Sequence, residues 1–170
     1  MPLAHPYTDP HIVYTIEPTP LGDVVLAARD MHLMGVWFDH QQHQPQTSAW
    51  SRVNDHPVLE RAQQQLQQYL DGQRQQFDLP VTFVSGTPFQ QQVWSALQSI
   101  PYGRTVSYSE MAERVSRPRA VRAVGAAIGR NPLSMVIPCH RVVGANGSLT
   151  GYAGGLARKQ ALLALEATPL

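Results

Sequence analysis

The spacing of apolar residues changes character near residue 85, which restricts the chain to a mixed fold with its strands and most of its helices segregated along the sequence. Before that point, residues 12–16, 24–28 and 33–38 are short β-rich runs, the first two separated by the turn cluster Pro18-Thr19-Pro20-Leu21-Gly22. They predict a small antiparallel meander. Residues 40–51 are polar and glutamine-rich, the composition of a surface loop. From Val58 the apolar residues Val58, Leu59, Ala62, Leu66, Tyr69 and Leu70 follow helical spacing, and Gly72 stops the run. Residues 79–84 fit either one more strand or a connector.

Beyond residue 85 the pattern is helical. Phe89, Val93, Leu97 and Ile100 share one helix face, which Pro88 can open and Pro101-Tyr102-Gly103 closes. Ser107-Tyr108-Ser109-Glu110 has capping-box spacing and predicts a short helix with Tyr108, Met111, Ala112 and Val115 inward. A link at Ser116-Arg117-Pro118 leads into a second, basic helix over 119–128, making a helix-turn-helix candidate. Asn146-Gly147 predicts a hairpin that would serve as a wing, and residues 156–165 a last helix. Two lobes are therefore expected, 1–85 and 86–170.

Charge divides at the same place. The net charge of the chain is only +1, yet residues 1–85 carry nine carboxylates against four arginines, and residues 86–170 nine cations against three carboxylates. Such asymmetry fits a nucleic-acid or membrane partner for the basic half, or simply two lobes of different surface charge. With 43% hydrophobic residues the chain can bury a core, which excludes a disordered polymer. No apolar run approaches the ~20 residues that span a bilayer, and Met1-Pro2-Leu3-Ala4-His5-Pro6 lacks the pattern of a signal peptide, so a soluble, cytoplasmic protein without membrane association is expected. One cysteine, Cys139, rules out an internal disulfide and any multi-cysteine zinc site.

The residues with chemistry lie in Asn131-Pro132-Leu133-Ser134-Met135-Val136-Ile137-Pro138-Cys139-His140-Arg141-Val142. A thiol attacks as thiolate, and neighbouring cations lower its pKa, so His140 and Arg141 are suitable flanks for a reactive Cys139. Pro138 brings the chain in extended. A buried structural cysteine beside an unrelated histidine is the commoner meaning of such adjacency, and on these residues alone both readings stay open.

The string Ile137-Pro138-Cys139-His140-Arg141-Val142 resembles the active-site signature of the O6-alkylguanine-DNA alkyltransferases. Thr87-Pro88-Phe89-Gln90, Ile100-Pro101-Tyr102-Gly103, Ser107-Tyr108, Arg122-Ala123-Val124-Gly125, Asn131-Pro132 and Gly151-Tyr152-Ala153-Gly154-Gly155 resemble family motifs in the same order and spacing. The likeness is close over residues 86–168 and loose before them. It implies an α/β protein: an N-terminal ribonuclease-H-like scaffold (1–85) of small sheet plus helix, and a mostly helical, winged-helix-like domain (86–170) that binds DNA and accepts the alkyl group. The implied activity is direct-reversal DNA repair, with one irreversible transfer from O6-alkylguanine in duplex DNA, and less well from O4-alkylthymine, to Cys139. No cofactor is implied.

Further roles follow from the same resemblance. His140 corresponds to the base that deprotonates the cysteine through a water, and Glu166 to the carboxylate that orients it. Tyr108 matches the tyrosine that helps flip the base and protonates N3 of the leaving guanine, and Arg122 the arginine that replaces the flipped nucleotide in the stack. Arg119 belongs to the same DNA-facing segment, and Ala120, Ala123, Gly125 and Ala126 are small enough for close approach in the minor groove. Asn131 matches a hinge asparagine. The backbone of Cys139 and Val142 would bind the exocyclic amine, and Tyr152 and Ala153 close the pocket. Ala153 stands where some members have Ser, keeping the backbone N–H that can bond O6 but losing a hydroxyl, and Ser134 stands where some have Pro, which bears on the size of alkyl group accepted. Some relatives carry a zinc on N-terminal cysteines; none exists here, and His5, His11, His32, His40, His43 and His56 are expected to be solvated, so no metal is expected. Arg141 is expected to pair with the acidic first half. A monomer is expected, with cooperativity on DNA left open.

Two rival functions remain at this stage: a non-enzymatic alkylated-base-binding protein, disfavoured because its acceptor cysteine would be replaced, and a thiol hydrolase using Cys139 and His140, which gives the DNA-contacting motifs no purpose.

Overall fold

Strands β1 (Ile12–Glu17), β2 (Val24–Arg29) and β3 (His32–Phe38) pair antiparallel in chain order, forming the meander that their alternation predicts. The computed structural model describes residues 5–168. Met1 to Ala4, part of the stretch read for a leader, lie outside the described residues. The chain divides into two compact units, Met1–Ser85 and Gly86–Leu170. No helix among the described residues is long and apolar enough to cross a membrane.

In the first unit both faces of the sheet are covered, so β2 is buried from Val24 to Ala28. Val25 and Ala27 join a cluster with Ile12, Met34, Trp37 and Trp50, against which Tyr7 and Tyr14 pack. The Trp37 and Trp50 rings lie 5.9 Å apart, and Trp50 Nε1–H donates to the Tyr7 carbonyl at 2.8 Å. Gly35 makes this possible: a Cβ there would sit 1.9 Å from the Trp37 ring. Helix α1 (Pro57–Leu70), capped by His56, packs on the sheet through Val58, Leu59, Ala62, Leu66 and Tyr69.

One expectation for this unit needs correction, and one open alternative is decided. The 40–51 stretch is not wholly surface loop, because Gln41 and Trp50 are buried and Ser51–Arg52 forms β4, parallel to β1. Residues 79–84 form no regular strand. They make one parallel bridge, Leu33 to Val81, held by Leu33 N–H to Pro80 O and Thr82 N–H to Leu33 O.

The second unit is built on α2 (Pro88–Leu97), α3 (Tyr108–Arg114), α4 (Val121–Gly129) and α5 (Leu156–Ala167), with β5 (Val106–Ser107) and β6 (Val142–Val143). Thr87 with Gln90 and Ser107 with Glu110 form complete capping boxes, each satisfying end N–H groups that would otherwise lack partners. Helix α2 stops at Leu97, short of Ile100, because the next N–H groups bond three residues back and tighten the chain into a turn. Trp94, a buried residue of α2, donates from Nε1 to the Ala127 carbonyl of α4 at 2.7 Å. Helices α3 and α4 form the expected helix-turn-helix, though α4 begins at Val121, leaving Arg119 in the turn and Ala120 at its cap. The wing does not form as a hairpin. Asn146-Gly147 does reverse the chain, with Gly144 N–H bonded to Ser148 O, but β6 pairs in parallel with β5 rather than with a following strand.

Candidate active site

After α4 the chain must travel from the helix-turn-helix to Cys139 in a few residues, and it does so through a loop held by its own backbone. Asn131, 3% exposed, donates from its side-chain amide to Ile137 O at 2.8 Å and accepts from Leu133 N–H at 3.0 Å. Two three-residue turns follow. Val136 N–H bonds Ser134 O across Met135, whose φ of 68° is left-handed, and Cys139 N–H bonds Ile137 O across Pro138, whose φ and ψ are −81° and 64°. A buried methionine at positive φ is strained and persists only where surrounding contacts impose it. Cys139, His140 and Arg141 then form one 3-10 turn, all three buried.

The deepest part of the site is a carboxylate with four donors. His140 Nε2 lies 2.7 Å from Glu166 Oε2. Arg141 grips Glu166 side-on, Nε to Oε1 at 2.7 Å and Nη2 to Oε2 at 3.0 Å, while Nη1 donates to Ile100 O at 2.7 Å. Gly103 N–H reaches Oε1 at 3.4 Å. These contacts correct the expectation for Arg141. Its partner is Glu166 of α5 and not a carboxylate of the first half, because the turn that follows Cys139 points its guanidinium at the end of the last helix.

The electrostatics of the thiol also differ from the reading based on its flanking residues. Burial pushes the Cys139 thiol up from its ordinary pKa, and a hydrogen bond from Asn131 and the charge of Lys159 oppose that rise. The Arg141 guanidinium is instead held by Glu166. Lys159 escaped the sequence reading. It is the only lysine in the chain, and it falls on the face of α5 that also carries Leu162 and Glu166, all buried. Its ammonium donates to Val142 O and Gly151 O and lies 5.9 Å from the Tyr108 ring centroid. The available signal was a lone lysine on an otherwise buried helical face.

The remaining candidates surround this core. Tyr108, the first residue of α3, is half-buried, and Gly125 of α4 approaches its ring: a Cβ there would sit 3.6 Å from Cδ1. Arg119, Arg122 and Ala123 are exposed and Ala120 is half-buried, so α4 presents small residues and a long cation outward together. Tyr152 and Ala153 lie in the loop before α5, and Ser134 is buried beside the Tyr152 hydroxyl. The Val142 carbonyl already accepts from Lys159, but a carbonyl oxygen has two lone pairs and can take a second donor. No group of three or more His, Cys, Asp or Glu suited to a metal exists among the described residues.

A helix-turn-helix unit that also buries one cysteine beside a histidine–carboxylate pair fits a class: DNA-binding proteins with a cysteine-centred site. Comparison with known proteins narrows it. Residues 88–168 match the model of the 6-O-methylguanine DNA methyltransferase DNA binding domain, and residues 12–83 that of the same proteins' ribonuclease-like domain. The chain belongs to the 6-O-methylguanine DNA methyltransferase family. It is 46% identical over 156 residues to the methylated-DNA--protein-cysteine methyltransferase of Mycolicibacterium paratuberculosis, covering 91% of this chain and 92% of that one. It is 48% identical over 144 residues to the inducible protein of that name from Bacillus subtilis, covering 79% and 80%. Among solved structures it resembles Mycobacterium tuberculosis OGT in complex with DNA, with a TM-score of 0.84 and 42% identity over 91% of this chain and 92% of that one.

Proposed function

We propose that this protein repairs DNA by direct reversal, moving the alkyl group of O6-alkylguanine, and less readily of O4-alkylthymine, from duplex DNA to Cys139 in a single irreversible event. The observation that carries the reading is the buried Cys139–His140–Glu166 arrangement within a unit that matches the family's DNA binding domain. Residues 86–170 are thus the DNA-binding and alkyl-acceptor domain, and residues 1–85 the scaffold.

The duplex is met in the minor groove by α4, with Arg119 and Arg122 supplying charge and Ala120, Ala123 and Gly125 allowing close approach. The minor groove carries little sequence information, which suits a protein that must find a lesion in any context. Arg122 fills the stack as the damaged nucleotide turns out, and Tyr108, Tyr152 and Ala153 receive the base, with Val142 O accepting from its exocyclic amine. Ser134, packed beside Tyr152, sets how large an alkyl group the pocket admits. Asn131 couples α4 to the cysteine loop.

Chemistry follows from the same atoms. A carboxylate can only accept, so Glu166 holds His140 with its hydrogen on Nε2, which leaves Nδ1 to take the thiol proton through a water. The sulfur lone pair forms the new S–C bond, the C–O6 bond breaks, and its electron pair passes to guanine. Tyr108 donates a proton to N3, which stabilises the departing base as charge develops on it. The product is a thioether that no group in the site cleaves.

The test is a reaction with duplex DNA containing O6-methylguanine, read by intact and peptide mass. One methyl on Cys139 and a burst of one equivalent are expected. Turnover beyond one equivalent, or an unmodified Cys139, would sink the proposal and favour a hydrolase or a binding protein. Arg122→Ala should slow repair of duplex by about two orders of magnitude, on the scale of losing a positioning interaction, yet leave reaction with free O6-alkylguanine base almost unchanged. Equal losses on both substrates would contradict its place in the stack.

A further inference from the structure

Glu166 is more heavily bound than a residue that only orients His140 requires. Orienting an imidazole takes one carboxylate oxygen. Here both oxygens are engaged by the Arg141 fork, Oε1 also receives Gly103 N–H, and only one direction on Oε2 is left for His140 Nε2. The fork is itself fixed from behind, by Ile100 O at 2.7 Å and by the Tyr102 ring, whose centroid lies 5.7 Å from the guanidinium carbon.

We infer that Arg141 is a positioning residue for the proton transfer: by holding and neutralising Glu166 it keeps His140 uncharged, with its hydrogen on Nε2 and Nδ1 as the accepting nitrogen. The inference deepens the alkyl-transfer reading and rests on it for its kinetic consequences. Its physical basis is charge balance. A carboxylate alone beside a histidine favours the imidazolium, which cannot act as a base. A guanidinium on the same carboxylate cancels that attraction while leaving the hydrogen bond in place. Lysine would bring the same charge without the planar fork that satisfies both oxygens at once.

The charges that act on His140 fit this balance. Burial pulls the His140 pKa below its ordinary value, Glu166 opposes that, and Arg141 and Lys159 reinforce it. Glu166 and Lys159 act on it from α5, and Arg141 and Cys139 belong to its own turn; Tyr102, from the turn after α2, lies against Arg141, and Tyr152, from the loop before α5, interacts with Cys139 and Glu166. Removing Arg141 alone therefore leaves the carboxylate to charge the histidine.

Nitrogen-resolved NMR of His140 in the full-length protein tests this without any substrate. In the wild type the ring should be neutral and Nε2-protonated at pH 7. In Arg141→Met the titration midpoint should rise by about one unit or more, the size of shift a lost adjacent charge produces. The acid limb of the single-turnover alkylation rate should move with it, so that the rate falls about tenfold at pH values below both midpoints while the rate at pH 9 approaches wild type. Arg141→Lys, which keeps the charge but not the fork, should leave the midpoint near wild type and lower the rate equally at all pH values. If Arg141→Met fails to fold, the double variant Arg141→Met/Glu166→Gln, which removes both buried charges, should fold and titrate near the wild-type midpoint. An unshifted midpoint in Arg141→Met, a raised one in the double variant, or a rate loss in Arg141→Met that ignores pH overturns the inference. Wild-type protein that accepts no alkyl group while its His140 responds to Arg141 as described would sink the transfer reading alone.

Discussion

Cys139→Ala should take no alkyl group from damaged duplex at any incubation time, and it should still bind that duplex. This is the largest effect expected of a single substitution. The chain has no other cysteine, so no second thiol can substitute, and the loss should exceed about a thousandfold, as when a nucleophile is removed outright. The fold should survive. Asn131, which hydrogen-bonds the thiol, keeps its bonds to Ile137 O and Leu133 N–H, so the change amounts to loss of one small buried group, costing about 1 kcal/mol. Intact mass, duplex affinity and Tm on one preparation decide the matter. A mass increment in the variant, on any residue, would contradict the assignment of the acceptor.

The second large effect is expected at Lys159. With Lys159→Met the opposing charge is lost and burial acts on Cys139 with less restraint, so its thiol should hold its proton to higher pH. An adjacent opposite charge shifts a pKa by about one to three units, so the alkylation rate near pH 7 should fall between about ten- and a thousandfold. The sign gives the discriminating measurement: the deficit should shrink as pH rises towards the new thiol pKa. A deficit of the same size at every pH would mean that Lys159 serves only as a clasp between Val142 O and Gly151 O. Lys159→Arg should not restore full activity, because a planar fork cannot occupy the place of a compact ammonium donating to two carbonyls.

What could be read from the sequence divides by the range over which each feature is decided. Helix α1, the meander strands and the Ser107–Glu110 capping box follow from residues within one or two turns of each other, and the expected positions differ from the observed ones by a few residues. Strands β4, β5 and β6 are two residues long and pair in parallel with partners far along the chain. No local periodicity can announce such a strand, and Asn146-Gly147, a sound turn signal, therefore suggested a hairpin that tertiary pairing pre-empts. The cysteine string showed where chemistry would lie but not its electrostatics. Arg141 is adjacent to His140 in sequence and was read as a neighbour of the thiol, whereas the 3-10 turn swings it to Glu166, and the cation that does act on the sulfur comes from twenty residues further on. Adjacency in a tight turn says little about which way three successive side chains point.

The near-complete enclosure of Cys139, which leaves the residue 5% exposed, bears on how long a molecule stays usable. An acceptor that works once has no means of recovering a sulfur spent on the wrong electrophile. Peroxide and small alkylating agents consume thiols in proportion to their thiolate content and accessibility. A thiol that is covered and reluctant to ionise ages slowly while idle. The surroundings that would make Cys139 a sluggish reagent in free solution thus act as a preservative, keeping each molecule's one reaction for the base that enters its pocket.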